Sequence, residues 1–322
     1  MVEVLGLNIS ACIITNNNPA VIECIKSVEK TCNEIILVNT VPEFTLDISQ
    51  FKNVKLFQFD WCDDFSKARN FSLSKATGDW ILVIDSDEIL STQILYLDPK
   101  YDIYFAKQVN SGIPFWNARV FKNNKGITYI HKMHESIEHF ITKDNTSKSN
   151  IEILHNGYEI SDEDMRVKLE RNYQLMLKDV DNPGRNYHIA GYELIVNKDY
   201  RKALEIYHKA LKDNLNAEHI ASVYNNIYLC EMMLEFPIEY LLETLGKSIQ
   251  TLPLQLVARI NVIEHFLRGV NTENKNDIIP IIEKELGKIE KIYKGKMSEL
   301  HTDIQINEQF IQTKKEEIRK WQ

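Results

Sequence analysis

The feature of this sequence that most constrains its fold is Trp80–Ile84, five apolar residues in a row that lead directly into Asp85-Ser86-Asp87. A strand that is apolar on both faces is typical of the buried centre of a parallel sheet. Other largely apolar runs of strand length alternate with segments whose apolar residues recur at helical spacing. The runs are Ile9–Ile14, Glu34–Val38 and Val54–Phe59, and the helical segments are Pro19–Lys30 and Phe65–Ala76, with Gly78 expected to end the second helix. This alternation predicts βαβ units and a mostly parallel α/β sheet.

The acidic segment after the central strand is the best candidate for chemistry. In open parallel sheets ligands bind beyond the carboxyl ends of the strands, which is where Asp85-Ser86-Asp87 is expected to lie. With Glu88, three carboxylates fall within four residues. Mg²⁺ and Mn²⁺ prefer such oxygen ligands and often bridge one or two carboxylates to substrate phosphates. The segment therefore predicts a metal site, although many strands also end in a polar turn without a function.

The second half of the chain has a different character, because helical patterns replace the strand-like runs after about residue 160. Small residues recur in Gly184–Leu215 and would let two helices pack closely, as in a 34-residue tetratricopeptide unit. These small residues are Ala190, Gly191, Ala203 and Ala210. A degenerate second unit fits Ala221–Pro253. The charged tail Ser298–Gln322 is expected to be a capping helix, an oligomer contact or a solvated end helix.

Composition argues against several classes of function. The formal net charge is −8 without a long basic block, whereas nucleic-acid partners are bound by clustered Lys and Arg. The five cysteines form no CxxC pair, as expected for thiols in a reducing compartment. The first residues do not resemble a signal peptide, and the apolar runs are far shorter than the roughly 20 residues of a membrane span. We therefore expect a cytoplasmic protein without a membrane span.

Several motifs follow one another in a definite order. Residues 61–70 read WCDDFSKARN and residues 78–88 read GDWILVIDSDE. Later come Arg119-Val120-Phe121, His134-Glu135, His155-Asn156-Gly157-Tyr158 and Lys168–Asn172. As an ordered set over about residues 8–215, these motifs resemble family 2 glycosyltransferases of the GT-A fold. They are most like a bacterial subgroup with a tetratricopeptide-type tail, a layout shared by peptide S-glycosyltransferases that modify bacteriocin cysteines.

The resemblance implies both a fold and a reaction. Residues 1–160 would form a GT-A domain with a Rossmann-like, mostly parallel sheet. Residues 161–322 would form an all-α, tetratricopeptide-like domain that recognises the acceptor, forms a homodimer, or does both. The implied reaction is metal-dependent, inverting transfer of a hexose or N-acetylhexosamine from a UDP-sugar. The acceptor would be a peptide, a protein or a saccharide, and the cofactor would be Mn²⁺ or Mg²⁺.

The resemblance also assigns roles around the metal. Asp87 would bind the cation directly, while Asp85 would contact the ribose of the donor or reach the metal through water. Ser86 would lie between them in the donor site. His155 would add a metal ligand, since a neutral imidazole can join carboxylates around Mn²⁺, or it would be structural.

Two residues before the metal strand are assigned to the donor. Arg69 and Asn70 would hold its phosphates or ribose, because the planar guanidinium group suits phosphate oxygens. The alternative for Arg69 is a buried ion pair with Asp64 or Asp87.

The candidate general base is Glu135. Inverting transfer needs a carboxylate that takes the proton of the acceptor nucleophile. His134, beside it, would orient the acceptor or the departing phosphate. The alternatives are that His134-Glu135 only shapes its loop, and that Asp64 serves as the base.

Two positions depart from the family pattern. After the first strand, the usual Lys-Asn-Glu is replaced by Asn16-Asn17-Asn18-Pro19, and the Asp that usually receives the uracil N–H is replaced by Asn39. The amide oxygen of Asn39 can still accept that hydrogen bond, but without a charge. Thr15 and Asn39 are therefore the expected donor-pocket residues. The departures also motivate an alternative, a glycosyltransferase-like binding or scaffold protein without turnover. A nucleotidyltransferase is disfavoured because no Gly-rich, basic phosphate loop occurs around Ile14–Ala20.

Overall fold

The computed structural model describes residues 7–94, 96–110, 113–155, 162–179, 183–295 and 308–321. The chain divides into two compact units, Met1–Val167 and Lys168–Gln322. The expected boundary after residue 160 falls in residues 156–161, which lie outside the described residues. Part of one predicted motif, Asn156-Gly157-Tyr158, lies outside them too.

The first unit is built around one sheet. In the described part of the chain its strand order is β3-β2-β1-β4-β7-β6-β8-β5. The strands are β1 Ile9–Thr15, β2 Glu34–Asn39, β3 Val54–Gln58, β4 Trp80–Val83, β5 Glu88–Leu90, β6 Ile103–Asn110, β7 Ile113–Lys122 and β8 Thr146–His155. The helices between them are α1 Val21–Val28 and α2 Phe65–Leu73, and Glu138–Phe140 form a short 3₁₀ helix.

The sheet has a parallel half and a mixed half. Strands β1 to β4 are parallel, as the alternation of strands and helices predicted. Strand β7 then runs antiparallel to both β4 and β6, while β8 is parallel to β6 and antiparallel to β5. The prediction of a mostly parallel α/β sheet followed by helices is thus confirmed. Like the parallel strands, β8 ends beside the acidic segment, because His155 pairs with Glu88.

Strand β4 is buried along its whole length, as predicted from its apolar sequence. Leu82 packs with α1 on one face of the sheet, whereas Ile81 and Val83 pack with Phe71 of α2 on the other. Two apolar faces therefore force β4 into the middle of the sheet, and its carboxyl end brings Asp85 to the sheet edge.

Gly78 has a different role from the expected one. Helix α2 ends at Leu73, five residues earlier, with Ser74 as its C-cap. A Cβ on Gly78 would lie 2.7 Å from the hydroxyl of Ser10 and 2.9 Å from the carbonyl oxygen of Asn8. The glycine is thus required for the close approach of this segment to β1, and the prediction that it stops the helix is wrong.

Strand β7 contains a β-bulge. Tyr104 pairs with Val120 and the next residue, Phe105, pairs with Ala118, so Arg119 has no partner residue across the ladder. A bulge of this kind bends the strand and redirects a side chain. Here the redirected side chain is that of Arg119.

The second half of the chain is helical, as predicted. Its helices are α3 Asp162–Leu177, α4 Pro183–Val196, α5 Tyr200–Ala210, α6 Ala217–Met233, α7 Ile238–Thr251, α8 Val257–Gly269, α9 Lys275–Gly295 and α10 Glu308–Arg319. Within the described ranges, no helix combines the length and the apolar character needed to cross a membrane.

Small residues allow α4 and α5 to pack closely. A Cβ on Gly191 would lie 2.6 Å from the ring of Tyr207. The expected alanines, Ala190, Ala203 and Ala210, have no exposed surface. The predicted close packing of this helix pair is therefore present.

A buried cluster of neutral polar groups connects α6, α7 and the segment before α8. The hydroxyl of Ser248 donates to Asn225 Oδ1 at 2.7 Å, and Asn225 Nδ2 donates to Gln255 Oε1 at 3.0 Å. Gln255 Nε2 donates to the carbonyl oxygen of Ser248 at 2.6 Å. We call Asn225, Ser248 and Gln255 the amide cluster, and it holds these elements together without charge.

Candidate active site

The acidic turn begins where β4 ends. The backbone N–H of Glu88 donates to the Asp85 carbonyl oxygen at 3.0 Å, and the Glu88 carboxylate accepts the backbone N–H of Asp85 at 2.8 Å. The thiol of Cys24, on α1, donates to the same carbonyl oxygen at 3.2 Å. Both ends of the turn are thus held, which fixes the direction in which Asp85 and Asp87 leave the sheet.

Two buried arginines hold the carboxylates of this turn. Arg69, on α2, donates to Asp85 Oδ1 through Nη2 and to Glu135 Oε1 through Nε, the latter at 2.5 Å. Arg119, at the bulge of β7, donates to Asp85 Oδ2 at 3.1 Å and to Glu88 Oε1 at 2.9 Å. These five residues, Arg69, Asp85, Glu88, Arg119 and Glu135, form the ionic cluster. It contains three carboxylates and two guanidinium groups.

The pKa values in the cluster follow from burial and pairing. Loss of water would raise the pKa of Asp85, but the charges and hydrogen bonds of Arg69 and Arg119 hold it well below its usual range. For Glu88, burial outweighs Arg119 and the pKa is raised. Burial opposes the charged form of both arginines, yet their carboxylate partners keep the pKa of each above its ordinary value. The arginines therefore carry fixed positive charge beside the acidic turn.

The two predicted catalytic residues lie on one loop. Glu135 is largely buried against Arg69, whereas His134 is exposed. The loop is closed by a bridge between Ile130 and Ser136. The structure thus brings Glu135 to the same guanidinium group that holds Asp85.

The predicted metal ligands Asp87 and His155 lie together. His155 Nε2 is 3.7 Å from Asp87 Oδ2, and both side chains are about one-third exposed. One carboxylate and one imidazole suit Mn²⁺ or Mg²⁺ in kind. Within the described residues, no group of three or more His, Cys, Asp or Glu side chains could hold a metal ion. The remaining coordination positions would then belong to water and substrate phosphates, as is common for these cations.

Asp85 is placed differently from Asp87. Both of its carboxylate oxygens accept hydrogen bonds from arginines. Its predicted contact with the ribose, or with a metal through water, stays a prediction. Ser86, between the two aspartates, is partly exposed.

The expected donor-pocket residues are buried at the ends of β1 and β2. Asn39 has no exposed surface, and its amide donates to the Val41 carbonyl oxygen at 2.6 Å and to Gln58 Oε1 at 2.8 Å. Its oxygen accepts the Val41 N–H at 3.4 Å. Thr15 pairs with Asn39 and is equally enclosed. Contact of either side chain with a nucleotide stays a prediction, and it would require neighbouring residues to move.

Arg69 and Asn70 make protein contacts on α2. The ion pair offered as the alternative for Arg69 exists, but its partners are Asp85 and Glu135 rather than Asp64 or Asp87. Asp64 instead caps α2 by accepting the Lys67 N–H. The amide of Asn70 donates to the Tyr129 carbonyl oxygen and accepts the Tyr129 N–H.

Sequence reasoning missed the roles of Arg119, Glu88 and Gln108. Gln108, on β6, is buried and donates to Glu88 Oε1. A charged residue inside an otherwise apolar strand, as Arg119 is, signals a buried partner. The position of Arg119 in the strand was visible in the sequence. Its carboxylate partners depend on the bulge and could not be predicted from the sequence.

Comparison with known proteins finds a family match within the sheet unit. Residues 10–97 match the model of the family described as Glycosyl transferase family 2. The matched segment runs from β1 through the acidic turn. The resemblance predicted from the motifs is therefore confirmed for this segment.

Two curated relatives extend the similarity. A TPR repeat-containing protein of Synechococcus elongatus is 32% identical over 142 residues, which cover 40% of this chain and 35% of that protein. The SPbeta prophage-derived glycosyltransferase SunS of Bacillus subtilis is 27% identical over 208 residues, covering 55% of this chain and 48% of that protein. The chain thus spans between about a third and a half of the length of these relatives.

Among solved structures, the chain is similar to S. aureus TarS 1–349 in complex with UDP-GlcNAc. The identity is 14% and the TM-score is 0.37, with 76% of this chain and 89% of that chain covered.

Proposed function

We propose that the protein is a glycosyltransferase that uses a nucleoside diphosphate sugar, with a UDP-linked hexose or N-acetylhexosamine as donor. The observation that carries the proposal is the position of Asp85-Ser86-Asp87 at the carboxyl end of the buried strand β4, inside the segment that matches the family. Ligands of open α/β sheets bind at this edge. The name of the relative SunS points to the same activity.

Asp87 and His155 are the residues proposed to hold Mn²⁺ or Mg²⁺. Both arginines of the ionic cluster are already paired with carboxylates, so neither is free to neutralise a diphosphate. A bound cation would supply that neutralisation as the diphosphate departs. This charge balance supports metal dependence.

Glu135 is the proposed general base. The acceptor hydroxyl or thiol gives its proton to the Glu135 carboxylate. At the same time, a lone pair of the acceptor oxygen or sulfur attacks the anomeric carbon of the sugar. The bond from that carbon to the diphosphate oxygen breaks, and its electron pair leaves with the diphosphate. A single displacement inverts the anomeric centre. His134, exposed on the same loop, is proposed to orient the acceptor.

The helical unit is the proposed acceptor-recognition and dimerisation domain. Successive antiparallel helices present extended surfaces that suit a peptide or protein segment, and a saccharide is the other acceptor class. The free cysteines, four of them buried, support a reducing, cytoplasmic location.

The test is hydrolysis of UDP-glucose and UDP-GlcNAc in the presence of Mn²⁺, with water as acceptor. We expect Asp87→Ala to lower the rate at least about 100-fold, since it removes stabilisation of the departing charge. The control is Asp144→Ala, an exposed aspartate beside the strand ends opposite the acidic turn. Equal rates for Asp87→Ala and the wild type would refute the metal assignment.

The second candidate function is a binding or scaffold protein without turnover, which the enclosed Asn39 favours. Thermal unfolding with UDP-sugars and GDP-sugars, with and without Mn²⁺, separates the two. A shift in melting temperature together with hydrolysis of the donor supports the enzyme, whereas a shift without hydrolysis supports a binding protein. No shift under any of these conditions supports the scaffold.

A further inference from the structure

The loop that carries Glu135 has an unusual backbone. Residues 129–136, here called the base loop, close on themselves through hydrogen bonds from Ile130 N–H to the Ser136 oxygen, 3.0 Å, and back, 3.1 Å. Inside it, His131 and His134 have φ angles of 73° and 50°. Residues with a Cβ rarely adopt this left-handed region of backbone angles. They stay in it where surrounding contacts hold the backbone in place. The base loop therefore needs an outside support.

Helix α2 provides that support. Asn70 Nδ2 donates to the Tyr129 carbonyl oxygen at 2.9 Å, and Asn70 Oδ1 accepts the Tyr129 N–H at 2.7 Å. One turn earlier, the Phe65 N–H donates to the Lys132 carbonyl oxygen at 2.9 Å. Two separate positions of the helix thus hold the backbone of the base loop.

Arg69 connects this support to the acidic turn. Its guanidinium group donates to Glu135 through Nε and to Asp85 through Nη2. The group also lies 5.6 Å from the centre of the Tyr129 ring, and the side chain is 8% exposed. Because a guanidinium group is planar and rigid, it fixes the separation of the two carboxylates. The ammonium group of a lysine lacks this fixed, planar pair of donors.

We propose that Arg69 and Asn70 are positioning residues, which hold Glu135 at a fixed place relative to Asp85 and do not bind the donor phosphates. The proposal rests on the proposed function, since it takes Glu135 as the base. Its consequence is a separation of effects. Loss of either residue should slow the chemical step, because a misplaced reacting group costs rate even when the substrate is bound. Donor affinity should be unaffected.

The experiment compares Arg69→Lys, Asn70→Ala and Asn70→Asp with the wild type. Hydrolysis of UDP-GlcNAc with Mn²⁺ gives kcat, and calorimetry gives the Kd of the donor. We expect kcat to fall about 10- to 100-fold in Arg69→Lys and Asn70→Ala, with the Kd within about twofold. Asn70→Asp should lie between, because it keeps the acceptor for the Tyr129 N–H and loses the donor. A Kd that rises as much as kcat falls would overturn the proposal in favour of phosphate binding.

Two matched variants control for general damage. Asn123, like Asn70, binds backbone groups through its side-chain amide. It donates to the carbonyl oxygens of Ala76 and Gly78, near the opposite end of β4. Arg259, in the helical unit, is equally buried and paired with Glu285. Asn123→Ala and Arg259→Lys should leave both kcat and Kd unchanged. A fall of kcat in these controls equal to that in the Asn70 variants would refute a specific role.

Amide hydrogen exchange, measured without any substrate, separates this proposal from the proposed function. Exchange in residues 129–136 should be faster in Asn70→Ala and Arg69→Lys than in the wild type, and unchanged in Asn123→Ala. If exchange responds in this way but the wild type neither binds nor hydrolyses any nucleotide sugar, the function is wrong and the support of the loop stands. If exchange in the base loop is the same in all variants, the positioning role is wrong.

Discussion

The two units of the chain differ in the buried polar cluster that each contains, although the helical unit also buries the ion pair of Arg259 with Glu285. The sheet unit buries the ionic cluster, in which three carboxylates share two guanidinium groups beside the acidic turn. The helical unit buries the amide cluster, in which neutral groups satisfy one another. Removing charges from water costs free energy even when they are paired, whereas burying neutral groups that hydrogen-bond to one another costs much less. The ionic arrangement is therefore better explained by chemistry at the sheet edge than by stability.

The packing of α4 against α5 depends on shape, whereas the ionic cluster depends on charge. Gly191 lies against the ring of Tyr207, where a Cβ would have no room. Such contacts are lost when volume is added, whereas the ionic cluster is damaged when a charge loses its partner. The α4–α5 contact and the ionic cluster should accordingly fail under different kinds of substitution.

The largest effect should come from Arg119→Met. It leaves Glu88 buried without its ionic partner, which costs about 3–5 kcal/mol of unfolding free energy. Urea denaturation of the purified variant measures this loss. Adding Glu88→Gln should recover part of it, because the second change removes the unpaired charge. A loss below about 1 kcal/mol would mean that the cluster is not held by charge.

The next effect should come from Gly191→Ala in the helical unit. The added methyl group would overlap the Tyr207 ring and cost about 1–3 kcal/mol. Gly246→Ala is the matched control, since Gly246 also lies in a helix but has open space around its Cβ position. The control should be stabilised by about 0.5–1 kcal/mol. Two variants of equal stability would show that the fit of α4 against α5 does not matter.

The amide cluster should respond more weakly. Ser248→Ala removes one donor to Asn225 and should cost about 1–2 kcal/mol. Because its members carry no charge, this cost should be the same at pH 5 and pH 8. Chemical denaturation at the two pH values checks it, and a pH-dependent cost would contradict the neutral description.

The smallest expected effect is a pH dependence that belongs to the ionic cluster. Asp85 has a lowered pKa when folded, so its stabilisation is present above its ordinary pKa, about 3.9, and is lost as the pH falls below it. Glu88 has a raised pKa, so its protonation adds stability on acidification above its ordinary value, about 4.3. Wild-type stability should thus rise slightly as the pH falls towards about 4.3 and should decrease below about 3.9. In Asp85→Asn the loss of unfolding free energy below pH 4 should be smaller by about 1 kcal/mol. The same loss in the variant and the wild type would contradict the lowered pKa of Asp85.

How much of this could be predicted from the sequence depends on the range of the interactions. Trp80–Ile84 predicted a central strand because burial on two faces leaves a local signature in the residues themselves. The helical half and the small residues of α4 and α5 were predicted for a similar reason. In contrast, the antiparallel half of the sheet depends on how distant strands pair, which no local pattern records.

Several residues that the motifs indicated lie together in the structure, while their roles stay predictions. Asp85 and Glu135 meet at Arg69, and Asp87 lies beside His155. The motifs did not indicate that Arg69 would bind Asp85 and Glu135 at once, because residues 16 and 66 positions apart in the chain give no local sign of contact. The enclosure of Asn39 was equally hidden, since it depends on Gln58 of the neighbouring strand.

The bulge at Arg119 also affects how this sheet could change during evolution. The extra residue changes the alternation of side chains along β7. Residues of one parity therefore face one side of the sheet before the bulge and the other side after it. Phe115 and Trp116, which precede the bulge, are exposed, whereas Val120 and Phe121, which follow it, are buried. Deletion of one residue at this point would remove the bulge. On one side of the deletion, side chains that face the core would then face solvent, and the reverse. The bulge thus makes the exact length of β7, and not only its composition, a condition for the buried core.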